Sequence, residues 1–559
     1  MRNASWQGFL VGLSILIAHA PGLAAPSGLF DVTGHGAVGD GETLETKAIQ
    51  AAIDACAANG GGTVWFPAGQ YLTGTIFLKD HVRLDLDMGA RILGTTDVDQ
   101  YPPIANNFPS RTDRYCLRAL IRAEGVEDIA ITGSGTIDGQ GAHFKDNRPT
   151  SEEYESLASA FDGTGRHLPN EVYVNRPYLI QFVSCSHVRV EGVRLRNSAM
   201  WMQHYLDCDF VTIRGIDVYN HVCRNNDMID IDCCRNVVIA DCFGDTDDDA
   251  LTLKSTGPRP TENVVVSNCV LSSHCNAIKA GTESSGGFKN IAITNCVIRR
   301  SAEPEGLSGR PEGLAGIALE IVDGGSLEGV TISNITIEGT SAPIFMRLGN
   351  RARPPTADGP KPPVGTFRNV SISNVVATGA GKTGCAIAGI PGHPIQDVSI
   401  SNVRISFLGG GAAGPPLAQV PEHETKYPEC TMFGDLPAYG LFCRHVEGLS
   451  LRDITLSHAG PDPRPAVICD DVRGLRLDGF RADGAPNAAA QIVLSNTQDV
   501  LVRGCVAGEA AAFLRLENHS KRIAAAGNQL HRAAQPFSFD TTVPQSELYA
   551  EGNPVSSVQ

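Results

Sequence analysis

The chain has 559 residues, 42% hydrophobic and 19% charged, a balance that suits a large buried core and excludes disorder and collagen. Its net charge of −16 argues against nucleic acid as a partner, because an acidic surface repels phosphate backbones. At roughly 150 residues per domain the length alone predicts three or four domains, unless the chain is built from repeats.

The N-terminus reads as an export signal over 1–24. Arg2 supplies the positive end, Phe9 to Ala18 is mostly apolar, and Gly22-Leu23-Ala24 offers small residues at a cleavage site. Cleavage after Ala25 would leave Pro26 at the new terminus, so Ala24 is favoured. The apolar run is too short to span a bilayer, and no later segment is long enough. The mature protein is expected to be secreted or periplasmic, without a membrane span. Within Glu45 to Cys56, Ile49, Ile53 and Cys56 share one helical face, and Gly60-Gly61-Gly62 stops the helix. This predicts a capping helix, with residues 25–125 forming the cap and the first rungs.

From about residue 126 one phrase recurs: a short β-branched strand, then Asn, Asp or Gly, then a second strand. Copies begin at Val188, Val211, Val237, Val264, Ile291, Val330, Val370, Val398, Leu449, Leu475 and Val500. The steps 211→237→264→291 are 26, 27 and 27 residues, too long for hairpin returns and without a helical pattern between them. Such strands stack as rungs of a parallel β-helix. The predicted fold class is therefore all-β: a single-stranded, right-handed parallel β-helix over 126–535, followed by a tail over 536–559. Cys242, Cys269 and Cys296 follow the same period and are expected to stack as small buried thiols. No cysteine spacing reads as a zinc site. Segments 140–175, 350–366 and 405–440, rich in Gly, Pro or charge, read as loops from the rungs.

Two consecutive rungs carry dense acid: Asn225-Asn226-Asp227-Met228-Ile229-Asp230-Ile231-Asp232, and Asp247-Asp248-Asp249-Ala250-Leu251-Thr252-Leu253-Lys254-Ser255. Strand alternation turns Ile229, Ile231, Leu251 and Leu253 inward, and Asp230, Asp232, Thr252 and Lys254 outward. Asp227 and the Asp248-Asp249 pair fall at the entries to neighbouring strands. Carboxylates this close raise one another's pKa, which separates acid from base roles. A turn role for each Asp, or a calcium site, are the competing readings.

These rungs resemble glycoside hydrolase family 28, the polygalacturonases and rhamnogalacturonases. Asn225 to Asp230 is similar to the family's Asn-Thr-Asp-Gly-Ile-Asp, and Asp248 to Ser255 to its Asp-Asp-Cys-Ile-Ala-Leu-Lys-Ser. Gly39-Asp40-Gly41, Gly60 to Val64, Pro67 to Tyr71 and Ser198-Ala199-Met200-Trp201 extend the likeness, which fades after about residue 300. The resemblance implies inverting hydrolysis of an α-linked acidic plant polysaccharide, with Asp248 as general acid and Asp227 and Asp249 activating water. His274 stands near the histidine of the family's Gly-His-Gly motif, without either glycine, and joins the expected catalytic set on that likeness. The family's Arg-Ile-Lys motif is absent near Gly316 to Glu320, with Glu320 in place of a cation.

Other cations and polar groups are expected on the acidic face by alternation: His204, Lys279 and Arg347, with Asp230 and Lys254, as substrate-binding residues. The expected partner is a pectic polysaccharide or oligosaccharide, acted on by a monomer that needs no cofactor and no metal. Two other readings compete. A polysaccharide lyase of the same fold would hold calcium on the acids and use Lys279 as base, and a non-catalytic β-helix adhesin would have no use for the acid cluster.

Overall fold

A computed structural model describes residues 28–555, so the expected export signal lies outside the described residues. Every pairing between its strands is parallel, and each strand pairs with its equivalents on the rungs before and after it. The chain is a parallel β-helix. The recurring phrase sets its register. Val188 pairs with Val211, Val211 with Val237, Val237 with Val264 and Val264 with Ile291. The same column continues through Val330, Val370, Val398, Leu449, Leu475 and Val500. Each copy drops its β-branched side chains onto those of the next, which removes apolar surface from water along one continuous core from Val32 to Val543.

The polar residue that ends each phrase has its own stack. Asn295, Asn334, Asn374 and Asn402 all take left-handed backbone (φ 50 to 57°), which Asn tolerates at a bend. Their side-chain amides bond from rung to rung at 2.8–3.0 Å. Cys242, Cys269 and Cys296 occupy equivalent corners, each thiol donating to the carbonyl two residues before it. All 16 cysteines are free and buried.

The helix Thr46–Ala58 lies over the first strands and buries Ile49, Ala52, Ile53 and Cys56, the expected face plus one alanine. It covers the apolar end of the stack, where bare edges would otherwise be open to pairing. The first rungs fall within 25–125 as expected, while pairing continues into the expected tail. Leu29–Asp31 already pairs with Gly62–Phe66, and within 536–559 Ala533–Phe539 and Leu548–Glu551 still pair with the preceding rungs. No helix among the described residues is long and apolar enough to cross a membrane.

Loops carrying Tyr115, Arg353 and Glu429 reach over one sheet, the one built from Gln203–Leu206, Ile229–Asp232, Leu251–Ser255, Asn276–Ser284, Ala315–Ile321 and Ala342–Leu348. A further loop carries the helix Ser151–Ser159, started by a reciprocal Thr150–Glu153 capping box. Side chains that alternation turns out of the β-helix on this sheet therefore do not meet solvent. Asp230, Asp232 and Thr252 are fully buried.

Candidate active site

The register places His204, Asp230, Thr252 and Lys279 in one column across four successive strands. Asp232 and Lys254 form the next column. Ile229, Ile231, Leu251 and Leu253 lie in the apolar core. The predicted alternation holds on both strands.

Asp227 and Asp230 share one lysine. Lys254 Nζ lies 3.6 Å from Asp227 Oδ2 and 3.3 Å from Asp230 Oδ1, and 4.5 Å over the ring of Trp201. Glu283 is a third carboxylate on that ammonium, at 3.8 Å, and is itself gripped by Arg353 at 2.8 Å. Burial pulls the Lys254 pKa down, but the charges of Asp230 and Asp227 outweigh it and hold it well above the ordinary value. Burial and the neighbouring acids push Asp227 well up, and burial pushes Asp230 to about 7 even beside Lys254. Both Asp230 oxygens and Asp227 Oδ1 are buried without a hydrogen bond. The two carboxyls thus hold protons more tightly than ordinary aspartates.

Asp249 is held differently. Lys279 Nζ sits 2.9 Å from its Oδ2, and Asn276 donates to Oδ1 from the backbone N–H at 3.0 Å and from Nδ2 at 2.8 Å. Asp248 is the one member of the trio that reaches solvent, being half-buried where Asp227 and Asp249 are buried. Burial and the adjacent Asp249 charge raise its pKa to about 6, against the pull of Lys279 and Lys254. The turn is pinned by Thr246 and Ser273, whose hydroxyls donate to the Asp248 carbonyl at 2.9 and 2.6 Å.

Not every expected residue joins this cluster. His204 is fully buried beside Trp201 and Tyr178, with Nε2 3.2 Å from Asp232, which also accepts from Thr256. It orders the floor of the site. Arg347 lies three strands beyond Lys254, and its guanidinium is committed to the carbonyls of Gly389 and Glu422 over the ring of Phe433. His274 turns away from the trio, to Asp247 at 3.3 Å and the Glu303 carbonyl at 3.0 Å.

The loops bring in residues that sequence reasoning missed. Glu429 reaches Lys279 at 3.6 Å and accepts from Asn276 at 3.3 Å. Tyr427, half-exposed, covers Lys279 and Arg351 with its ring. Arg351 is paired with Asp323 at 2.6 Å, yet its Nη1 is buried without a partner. Glu320 is fully buried, and neither of its oxygens has a hydrogen bond. Glu283, by contrast, was within reach of pattern reasoning, since it lies near the end of the strand Asn276–Ser284 that carries Lys279.

Fold and cluster together define a class: a parallel β-helix with an acid–base site built on one loop-covered sheet. Comparison with known proteins gives the particular member. The family model for Glycosyl hydrolases family 28 matches residues 56–420, well over half of the chain. The chain belongs to that family. It is 32% identical over 231 residues to a probable polygalacturonase of Vitis vinifera, covering 39% of this chain and 43% of the relative. It is 27% identical over 253 residues to an exo-poly-alpha-D-galacturonosidase of Dickeya chrysanthemi, covering 40% and 42%. The matches thus span less than half the length of these curated relatives. Among solved structures, a hyperthermoactive exopolygalacturonase from Thermotoga maritima superposes with a TM-score of 0.57 at 26% identity, covering 68% of this chain and 87% of that one.

Proposed function

We propose that the protein is an exported enzyme that hydrolyses α-glycosidic bonds in a pectic polysaccharide of galacturonan or rhamnogalacturonan type, with inversion at the anomeric carbon. The observation that carries this reading is the arrangement of three aspartates at the entries to two adjacent strands, one half-exposed and two buried beside lysines. Asp248, which reaches the open face, protonates the leaving oxygen. Asp249 and Asp227 hold the attacking water, and Asp249, paired with Lys279, accepts its proton. Neighbouring strands lie ~4.8 Å apart, and inverting enzymes separate their carboxyls by ~6.5–9.5 Å so that a water fits between.

An acidic sugar needs a cation. Arg351, whose Nη1 has no hydrogen-bond partner although its other nitrogens pair with Asp323, lies with Lys279 against Tyr427 and stands in place of the absent Arg-Ile-Lys. The Tyr427 ring supplies an apolar face on which a sugar ring can rest. Export rests on the apolar run Phe9 to Ala18 behind Arg2.

The test is digestion of purified pectin fractions, following reducing ends, ultraviolet absorbance of unsaturated sugars and the anomeric proton of the first product. New reducing ends of inverted configuration without absorbance are expected. Absorbance rising in step with reducing ends would identify elimination and contradict the proposal.

A further inference from the structure

The turn that carries Asp248 and Asp249 has a second face. Asp247, immediately before them, sends its carboxylate away from the trio into an enclosed space shared with His221 and His274. One donor atom from each of the three lies within 4.8 Å of the others. Asp247 and His274 are buried, and the His221 side chain is only 7% exposed.

Hydrogen bonding fixes which atoms are free. His274 Nε2 is 3.0 Å from the Glu303 carbonyl, which can only accept, so that nitrogen carries the proton. Its Nδ1 is left with a lone pair facing Asp247 Oδ1 at 3.3 Å, where two acceptors oppose each other. His221 Nε2 is 3.1 Å from Asp245 Oδ1. Ser301 Oγ and the Ala302 N–H also donate to Asp245, at 2.6 and 2.8 Å, which marks that carboxylate as an acceptor. His221 therefore donates from Nε2, and its Nδ1 is bare. His221 Nδ1 and Asp247 Oδ2 are both buried without any hydrogen-bond partner.

Asp247 Oδ1 accepts the Leu307 N–H at 2.6 Å, but Asp247 Oδ2 and His221 Nδ1 have no donor, and buried lone pairs are costly to leave unmatched. The outer nitrogen of each imidazole donates to a carboxylate or a backbone carbonyl, the arrangement that orients metal-bound histidines. Two imidazole nitrogens and one carboxylate oxygen suit a borderline divalent ion, with a water as fourth ligand. We propose that His221, Asp247 and His274 form a divalent transition-metal site, best matched to Zn²⁺, on the back of the catalytic turn. A tetrahedral ion holds its donors ~3.4 Å apart, so binding draws donors now within 4.8 Å closer by up to about 1.4 Å. The ion ties three successive rungs, at residues 26 and 27 apart, through side chains that the apolar core does not use.

The loop over the site supplies a clean way to block it. A Cβ on Gly306 would stand 2.5 Å from His274 Nδ1 and 2.7 Å from the Ser308 carbonyl oxygen, so Gly306→Ala crowds the ion's place without removing a ligand, with a small shift of the loop.

The experiment uses the full chain, stripped with a chelator, and titrates Zn²⁺ alone by calorimetry and by thermal unfolding. One ion per chain is expected, with a rise in Tm that grows with free Zn²⁺. Asp245→Asn should weaken binding by ~10–100-fold, as loss of an outer partner does. His221→Ala and Gly306→Ala should abolish binding, while Asp248→Asn should bind as wild type does. Folded wild-type protein that takes up no Zn²⁺ and shows no Tm shift would overturn the site, leaving an added proton on an imidazole to balance Asp247. Uptake that survives in both His221→Ala and Gly306→Ala would equally overturn it, by placing the ion elsewhere. Zinc uptake is measured without substrate, so its outcome is separate from the outcome of the pectin digestions.

Discussion

Asp247 and Asp248 are adjacent in sequence and face two different chemistries. On one side of the turn, Asp248, Asp249 and Asp227 meet ammonium groups, Lys279 and Lys254, that are fixed in the sheet below. On the other side Asp247 meets two imidazoles whose lone pairs point back at it, and no lysine or arginine is paired with it. The first arrangement leaves Asp227 and Asp248 with raised pKa values, Asp248 at the edge of solvent. The second leaves Asp247 Oδ2 and His221 Nδ1 buried with nothing to accept. A buried carboxylate is not in itself a catalytic signal. Its meaning is set by whether its partner is a fixed cation or an open coordination position.

The comparison breaks most visibly if the lysine side is not catalytic. Asp249→Asn keeps the shape and the bonds from Asn276, and general acid–base catalysis contributes ~10²–10⁴-fold. Turnover should fall by that factor in protein that still folds, with some loss of stability because Lys279 loses its buried partner; turnover kept would make Asp249 a structural residue. Lys279→Met tests the cation itself. It leaves Asp249 buried without its partner, and breaking a buried pair in this way costs about 3–5 kcal/mol. Urea unfolding should show that loss, and a cost below about 1 kcal/mol would mean that Asn276 alone holds the carboxylate.

A smaller effect concerns pH. Burial raises Glu429 to about 7 despite the opposing pull of Lys279, and Asp230 likewise to about 7. A carboxyl whose folded pKa lies above its unfolded value contributes stability that is full below the unfolded pKa and is lost as pH rises through the folded one. Tm should therefore fall between pH 5 and pH 8. Glu429→Gln removes one titrating group while its amide oxygen still accepts from Asn276, so the fall should be smaller in the variant. An identical fall would show that Glu429 titrates as an ordinary surface acid.

Much of the fold was legible because a solenoid writes its register into the sequence. The strand starts from Val188 to Val500 fall in one column, and the alternation of Ile229, Asp230, Ile231 and Asp232 assigns their faces. What alternation cannot give is depth. Asp230 and Lys254 do point out of the β-helix, but loops with no periodicity fold over them, and those loops bring Arg353, Tyr427 and Glu429 from distant sequence. Arg347 shows the same limit from the other direction. Its outward direction was readable, but its distance along the stack and its attachment to loop carbonyls were not. The grouping of His221 with Asp247 and His274 escaped notice because metal motifs are sought as ligands a few residues apart on one loop. In a β-helix the relevant spacing is one full turn, and these three are separated by 26 and 27 residues.

The central claim is that Asp248 is the proton donor, and the most direct measurement compares two substrates of Asp248→Asn. A glycoside with a good leaving group needs little protonation, whereas the natural linkage needs it in full. Asp248→Asn should lose ~10²–10⁴-fold on the natural polymer and keep far more of its activity on the activated glycoside than Asp227→Asn or Asp249→Asn does. Equal losses on both substrates in all three variants would contradict the assignment of the donor, and full activity of Asp248→Asn on the polymer would show that the site lies elsewhere.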